Sequence, residues 1–208
     1  MVRIMILPNV KDVVSIILTM KMMILCCVIT VKSAGIMGLS QLDFEDLRGY
    51  AIMIKVLFIC HGNICRSPMA EFVMKKLVSD ANFADHFQIA SAATSTEEIG
   101  NPVYPPAKAE LARHGISCEG KRARQVTKAD YAEYDYLIGM DSANIRNMLR
   151  IFGGDPDGKV ARLLSYVGSE RDISDPWYTG EFGTTYNDVL EGCTAFLRYL
   201  QQNGRIDT

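Results

Sequence analysis

The sequence predicts an α/β fold, a small three-layer domain in which helices cover both faces of a central parallel sheet of about four strands. Two observations support this prediction. Short apolar runs alternate with amphipathic stretches along residues 53–208, an order typical of parallel strands joined by helices. This stretch also has the length of one domain with its own core.

The strands are predicted from four short apolar runs, each separated from the next by a helical or loop stretch. Gly153–Gly158, before the last run, is predicted to be a plain turn. The runs are Lys55–Ile59, Phe87–Ala92, Tyr134–Gly139 and Lys159–Leu163.

Four helices are predicted from apolar residues in helical phase and from start and stop signals. They are Pro68–Ser79, Pro106–His114 with Gly115 as the stop, a helix capped by Asp141 that runs towards Arg150, and a helix from Thr184 or Thr185 to Gly204.

Residues 54–71, IKVLFICHGNICRSPMAE, read as an apolar strand, a glycine-containing loop and the start of a helix. Such a loop directs backbone N–H groups and the positive end of the helix dipole at one point, which makes a cradle for an anion. Cys60 is expected at the floor of this cradle, where the same field favours a thiolate. Arg66 adds a planar cation suited to two phosphate oxygens. A nucleophile inside a phosphate cradle indicates covalent phosphoryl transfer.

The prediction depends on context, because the spacing Cys-x5-Arg occurs twice. Cys118 and Arg124 repeat it, but no apolar strand precedes Cys118 and no Ser-Pro helix start follows Arg124. The alternative for Cys60 is a buried structural thiol, which the strand, loop and helix around it disfavour.

The chain resembles the low-molecular-weight protein tyrosine phosphatases. The resemblance rests on CHGNICRSP at residues 60–68 and DPWYTG at residues 175–180, with ARHGI at residues 112–116 between them. It extends from about Met53 to Arg205. It implies an enzyme that hydrolyses phosphotyrosine in proteins without a cofactor or metal.

The resemblance also implies the roles of three catalytic residues. Cys60 would attack phosphorus to give a phosphocysteine, and Arg66 would hold the phosphate oxygens. Asp175 matches the family's general acid and would then act as base for the attacking water. The alternative for Asp175 is an ordinary Asp-Pro turn.

Other residues are expected around the substrate or behind it. In the family a histidine matching His114 braces the asparagine matching Asn63, which suits a left-handed backbone. The alternative for His114 is a partner of the C-terminal dipole of its helix. Ser67 is a candidate donor to the Cys60 sulfur, or a plain helix cap. Family members that act on phosphoarginine carry threonine at Ile64, so isoleucine favours phosphotyrosine. The expected substrate-binding residues are His61, Gly62, Asn63, Ile64, Cys65, Ser67, Trp177 and Tyr178.

Cys65 has two interpretations, a structural thiol and a partner that traps oxidised Cys60 as a reversible disulfide. The proposed chemistry requires a free Cys60 thiolate, and the six cysteines of the chain form no disulfide framework. A reducing compartment, the cytoplasm, is therefore expected. Lys plus Arg total 22 against 24 Asp plus Glu, so no basic excess indicates nucleic acid.

Two other classes of protein remain as alternatives. An arsenate reductase would use the same cradle with two further cysteines on a mobile segment, but Cys118 and Cys193 are far apart in the sequence. A non-catalytic phosphotyrosine-binding module would lack the nucleophile or the acid, whereas this chain has both.

We expect residues 1–52 to be a hydrophobic extension ahead of a phosphatase domain at residues 53–208. Its centre, Val14–Val31, contains a single charged residue. Three interpretations stay open: a membrane anchor, a signal peptide cleaved near Ser33-Ala34-Gly35, and an over-extended reading frame. We favour the last, with the working chain beginning at Met53. A membrane partner is expected only if Val14–Val31 is a genuine anchor.

Overall fold

The computed structural model of the chain describes residues 53–206. In this part of the chain four parallel strands form one sheet in the order β2-β1-β3-β4. The predicted α/β class with a four-stranded parallel sheet is therefore confirmed. The strands are β1 (Ile54–Cys60), β2 (Phe87–Ala93), β3 (Tyr136–Gly139) and β4 (Val160–Arg162).

Helices connect the strands and follow the last one. Two short 3₁₀ helices, Ala84–His86 and Leu163–Val167, precede β2 and follow β4. The α-helices are α1 (Arg66–Asp80), α2 (Pro105–Arg113), α3 (Lys128–Glu133), α4 (Ser142–Phe152), α5 (Pro176–Thr179) and α6 (Phe182–Gln202).

The sheet is buried on both faces, as the three-layer prediction requires. On one face Val56 and Phe58 of β1 join a cluster with the inner residues of α1 and α6. On the other face Leu57 and Ile59 pack in a second cluster that includes Met148 of α4. Alternate residues of one strand thus enter two cores, because successive side chains of a strand point to opposite faces.

Several element bounds differ from those predicted. Helix α1 begins at Arg66, two residues before the Pro68 start signal, and α6 begins at Phe182. Asp141 caps α4 as predicted, since its carboxylate accepts a hydrogen bond from the backbone N–H of Asn144. Asp155 fixes the turn before β4 by accepting hydrogen bonds from two backbone N–H groups.

Two short helices were missed by the sequence analysis. Helix α3 is held by a capping box in which Asp130 accepts the backbone N–H of Thr127 at 2.6 Å. In α5, Asp175 accepts the backbone N–H of Trp177 at 3.1 Å. Both helices are too short to show an apolar period, so only their capping residues could have indicated them.

No helix within residues 53–206 has the length and apolar character needed to cross a membrane. The stretch Val14–Val31 and the three interpretations of residues 1–52 lie outside the described residues.

Candidate active site

Cys60 ends β1 at the carboxyl edge of the sheet, and the loop of residues 61–65 folds over it before α1 begins. Its sulfur accepts a hydrogen bond from the backbone N–H of Asn63 at 3.3 Å. The Ser67 hydroxyl lies 3.1 Å from the same sulfur, and either atom can donate. A thiolate at this position would therefore be stabilised by a backbone amide, by a hydroxyl and by the N-terminus of α1.

Asn63 has a positive φ of 59°, the left-handed conformation that lets the loop turn back over the sulfur. Its side chain is buried and fully paired: the amide donates to the hydroxyls of Ser67 at 2.9 Å and Ser91 at 2.8 Å. Its carbonyl oxygen accepts the backbone N–H of Arg124 at 3.2 Å. These contacts stabilise the strained turn of the loop.

A buried ion pair lies behind Ser91. The Ser91 hydroxyl donates to the Glu71 carboxylate at 2.6 Å, and the Lys121 ammonium lies 3.0 Å from that carboxylate. Lys121 also donates to the backbone carbonyl of Ser91 at 3.0 Å. Burial lowers the pKa of Lys121, and the Glu71 charge opposes this shift. The loop that holds Cys60 is thus connected to a charged pair in the core.

The prediction that His114 contacts Asn63 is wrong. His114 lies at the end of α2, where its ring stacks on Tyr186 with centroids 3.7 Å apart and lies 3.3 Å from a Glu110 carboxylate oxygen. The partners of the Asn63 side chain are Ser67, Ser91 and the Arg124 backbone instead. The physical reason is that α2 places His114 on its exposed end, away from the loop.

Arg66 is buried and bridges two carboxylates. Its Nη1 donates to Asp141 at 2.6 Å and to the Ile173 carbonyl at 3.2 Å, and its Nη2 donates to Asp175 at 2.5 Å. Burial alone would lower the pKa of Arg66, but the nearby Cys60 and Asp175 charges outweigh it and raise that pKa. Its Nε is buried without a hydrogen-bond partner among the described residues.

Asp175 reaches the loop from the far end of the sequence. It lies 109 residues after Arg66 and caps α5, which carries the exposed side chains of Trp177 and Tyr178. The Trp177 ring packs against Tyr104 with centroids 4.9 Å apart. The proposed acid and the two aromatic residues therefore lie at the same pocket as Cys60.

The pocket contains nine of the twelve residues expected from the sequence. Asn63 and Ser67 are buried behind its wall, and His114 lies elsewhere. Two carboxylates were missed, Glu97 and Glu98, which follow β2. The lining residues are Cys60, His61, Gly62, Ile64, Cys65, Arg66, Glu97, Glu98, Asp175, Trp177 and Tyr178.

Asp141 was predicted only as a helix cap, yet it also binds Arg66. A signal for this second role was present, because Asp141 follows β3 and the carboxyl ends of parallel strands share one edge of a sheet. Ser91, Glu71 and Lys121 gave no such signal, since they come from a strand, a helix and a loop distant in sequence.

Cys60 and Cys65 are both buried, but Cys65 carries a raised pKa. Burial and the neighbouring Cys60 charge raise the pKa of Cys65 to about 12. Cys118 and Cys193 are also buried, and burial raises the pKa of each. These three thiols remain protonated at neutral pH. Within residues 53–206 no three His, Cys, Asp or Glu side chains cluster as metal ligands.

The chain is similar to known proteins over the part that carries this site. The family model described as low molecular weight phosphotyrosine protein phosphatase matches residues 55–206. The low molecular weight protein-tyrosine-phosphatase YfkJ of Bacillus subtilis is 37% identical over 156 residues, covering 74% of this chain and 100% of that protein. The crystal structure of YfkJ superposes with a TM-score of 0.70, covering 73% of this chain and 96% of that chain at 38% identity.

Two further relatives share the same part of the chain. The human low molecular weight phosphotyrosine protein phosphatase is 42% identical over 147 residues, covering 68% of this chain and 92% of that protein. The crystal structure of DARP, a Drosophila arginine phosphatase, superposes with a TM-score of 0.65 at 31% identity, covering 71% of this chain and 98% of that chain.

Proposed function

This chain belongs to the low-molecular-weight phosphotyrosine protein phosphatase family, and on that premise we propose that it hydrolyses phosphotyrosine through a phosphocysteine on Cys60. Arg66 would bind the phosphate group and Asp175 would serve as general acid and then general base. The observation that supports this assignment is the convergence of Cys60, Arg66 and Asp175 on one pocket.

In the first step the Cys60 thiolate attacks phosphorus, an S–P bond forms and the bond from phosphorus to the phenolic oxygen breaks. Asp175, which takes up a proton from solvent after it leaves Arg66, gives that proton to the departing oxygen, so that tyrosine leaves neutral. In the second step Asp175 removes a proton from water, whose oxygen attacks phosphorus. The S–P bond breaks, the thiolate is regenerated and inorganic phosphate leaves.

Arg66 is suited to hold the phosphate through both steps. Its buried Nε has no partner among the described residues, and its Nη2 is occupied by Asp175. A phosphate group could accept from both nitrogens in the bidentate manner typical of arginine. Its binding would then displace the Asp175 carboxylate from Arg66 and free it to face the leaving oxygen. Asp141 would remain on Nη1 and keep the guanidinium in place.

Aromatic and apolar side chains at the pocket favour the binding of a substrate with a phenyl ring. Trp177 packs on Tyr104 at the pocket, and Ile64 lines it. Family members that act on phosphoarginine carry threonine at the Ile64 position, so we assign phosphotyrosine rather than the substrate named for DARP. The substrate would be a phosphotyrosine-containing protein.

Two finer proposals concern the setting of the enzyme. Cys60 must stay reduced to act as the nucleophile, so we assign the protein to the cytoplasm. The family match over residues 55–206 supports a phosphatase domain of residues 53–208 preceded by an extension.

The test is phosphate release from a phosphotyrosine peptide by the full chain and by Cys60→Ser. We expect no turnover by the variant with an unchanged circular dichroism spectrum, because serine supplies no thiolate. The matched control is Cys118→Ser, which removes a buried thiol outside the pocket and should retain activity. Turnover by folded Cys60→Ser would contradict the mechanism. Thioredoxin-coupled arsenate reduction faster than phosphate release would establish the reductase alternative.

A further inference from the structure

Two consecutive carboxylates line the mouth of the pocket and take no part in the proposed chemistry. Glu97 and Glu98 follow β2 on a segment fastened to the nucleophile loop, where the backbone N–H of Ser95 donates to the His61 carbonyl at 3.0 Å. Glu98 packs against the loop at Gly62. A Cβ added to this glycine would lie only 3.1 Å from the Cγ of Glu98. Both carboxylates are therefore held close to the phosphate cradle.

The two carboxylates are only weakly neutralised. Glu97 is 69% exposed and lies 3.1 Å from the His61 ring, whereas Glu98 accepts a hydrogen bond from the Asn101 amide at 2.7 Å. Among residues 53–206 no lysine or arginine side-chain nitrogen lies within 4.0 Å of a carboxylate oxygen of either residue. Even with a proton on His61, two negative charges face one positive charge. Glu97, Glu98 and His61 together therefore contribute a net negative charge to the mouth.

The floor of the pocket does not cancel this charge. Arg66 is already paired with Asp141 and Asp175, and a bound phosphate dianion would neutralise its positive charge in their place. The side chains that flank phosphotyrosine in a protein must lie outside the narrow cradle, beside Glu97, Glu98 and the exposed Tyr178 ring. Charged side chains around a cleft select the sign of the ligand groups that approach it.

We propose that Glu97 and Glu98 form an acidic rim that selects phosphotyrosine flanked by lysine or arginine and disfavours phosphotyrosine flanked by acidic residues. This inference rests on the proposed phosphotyrosine activity and adds the class of sequence that carries the substrate. Basic flanking side chains would pair with the rim, whereas aspartate or glutamate would meet two like charges.

The size of the effect follows from the exposure of the rim. An exposed ion pair changes an equilibrium by up to about fivefold, and like charges oppose binding by a similar factor. Replacing arginine by glutamate beside phosphotyrosine both removes an attraction and adds a repulsion, so kcat/KM should fall about tenfold at low salt. The difference should shrink in about 0.5 M NaCl, where the screening length is only a few ångströms.

The same carboxylates also have a structural explanation, since Glu97 lies beside His61 and Glu98 caps the Asn101 amide. Glutamine separates the two roles because it keeps a hydrogen-bonding oxygen of the same size and loses the charge. A structural role alone would change the rate for every peptide equally and would leave the ratio between peptides unchanged.

The experiment uses the full chain and three phosphotyrosine peptides that differ only in flanking arginine, glutamine or glutamate. We would measure kcat/KM for each at low and high salt with the unaltered protein, Glu97→Gln, Glu98→Gln and the double variant. Glu119→Gln is the matched control, because Glu119 is an exposed carboxylate outside the pocket that pairs with Lys108. The quantity of interest is kcat/KM for the arginine peptide divided by kcat/KM for the glutamate peptide.

We expect a ratio of about ten that falls stepwise to about one in the double variant and is unchanged in Glu119→Gln. Equal rates for the three peptides, or a ratio that survives in the double variant, would overturn the acidic rim while leaving the phosphatase assignment intact. Failure to hydrolyse any of the three peptides would instead overturn the proposed function and this inference with it.

Discussion

Asp175 accepts a hydrogen bond of 2.5 Å from the Nη2 of Arg66, so the proposed proton donor rests on the residue proposed to hold the phosphate. The two groups lie 109 residues apart in sequence. Substrate binding would exchange one anion for another on the guanidinium. The same event would release Asp175 at the moment when a leaving group needs a proton.

Replacing Asp175 by asparagine should separate proton transfer from phosphate binding. We expect kcat to fall on the order of 10²-fold for aryl phosphates with poor leaving groups, because asparagine cannot protonate the departing oxygen. The loss should shrink for very good leaving groups. Asp172→Asn is the control, since Asp172 fixes the same segment by accepting from Ser142. A loss independent of the leaving group would indicate that Asp175 only shapes the segment.

Lys121→Met should weaken both folding and catalysis. It would leave the buried Glu71 carboxylate with the partly exposed Lys75 as its remaining ion-pair partner. The loss of one charged hydrogen bond to a buried carboxylate should cost about 2 kcal/mol in the free energy of unfolding. Because Glu71 accepts from Ser91, which holds Asn63, kcat/KM should also fall.

Lys75→Met removes the exposed partner of the same carboxylate and should cost less than about 1 kcal/mol. Urea unfolding and steady-state kinetics measure both effects. Equal small effects of the two variants would show that the buried pair does not support the loop.

Iodoacetamide at pH 7.5 should modify Cys60 before Cys65, Cys118 or Cys193. The reagent reacts with thiolates, and burial raises the pKa of the last three thiols, to about 12 for Cys65. A raised pKa means that Cys65 stays protonated until the pH approaches that value. Peptide mass spectrometry measures the order, and inorganic phosphate should protect Cys60. Equal labelling of Cys60 and Cys65 would contradict this prediction.

A chain that begins at Met53 should fold and retain near full activity. Strand β1 starts at Ile54, and every residue of the candidate site lies after it. The melting temperature and kcat/KM of this chain should match those of the full chain. If the shorter chain were inactive or insoluble, residues 1–52 would be an integral part of the enzyme. Recovery of the active full chain in membranes would instead support the anchor.

The sequence alone determined the parts of the site that are local. The run from Ile54 to Asp80 specifies a strand, a loop and a helix through apolar residues, Gly62 and a Ser-Pro start, so the position of Cys60 beside the helix N-terminus was predictable. Asp141 was recognisable as a helix cap for the same reason. Such signals involve residues a few positions apart, and backbone hydrogen bonding converts them directly into structure.

Only the tertiary structure decided which distant groups meet. In the structure Ser91 binds the Asn63 side chain and donates to Glu71, which is paired with Lys121. The family resemblance had indicated His114 as the partner of Asn63. The tertiary structure also placed Glu97 and Glu98 at the mouth of the pocket. These contacts depend on how helices and loops pack against a parallel sheet whose strand ends share one edge. That packing is set by the burial of both sheet faces, and no local pattern around these residues encodes it.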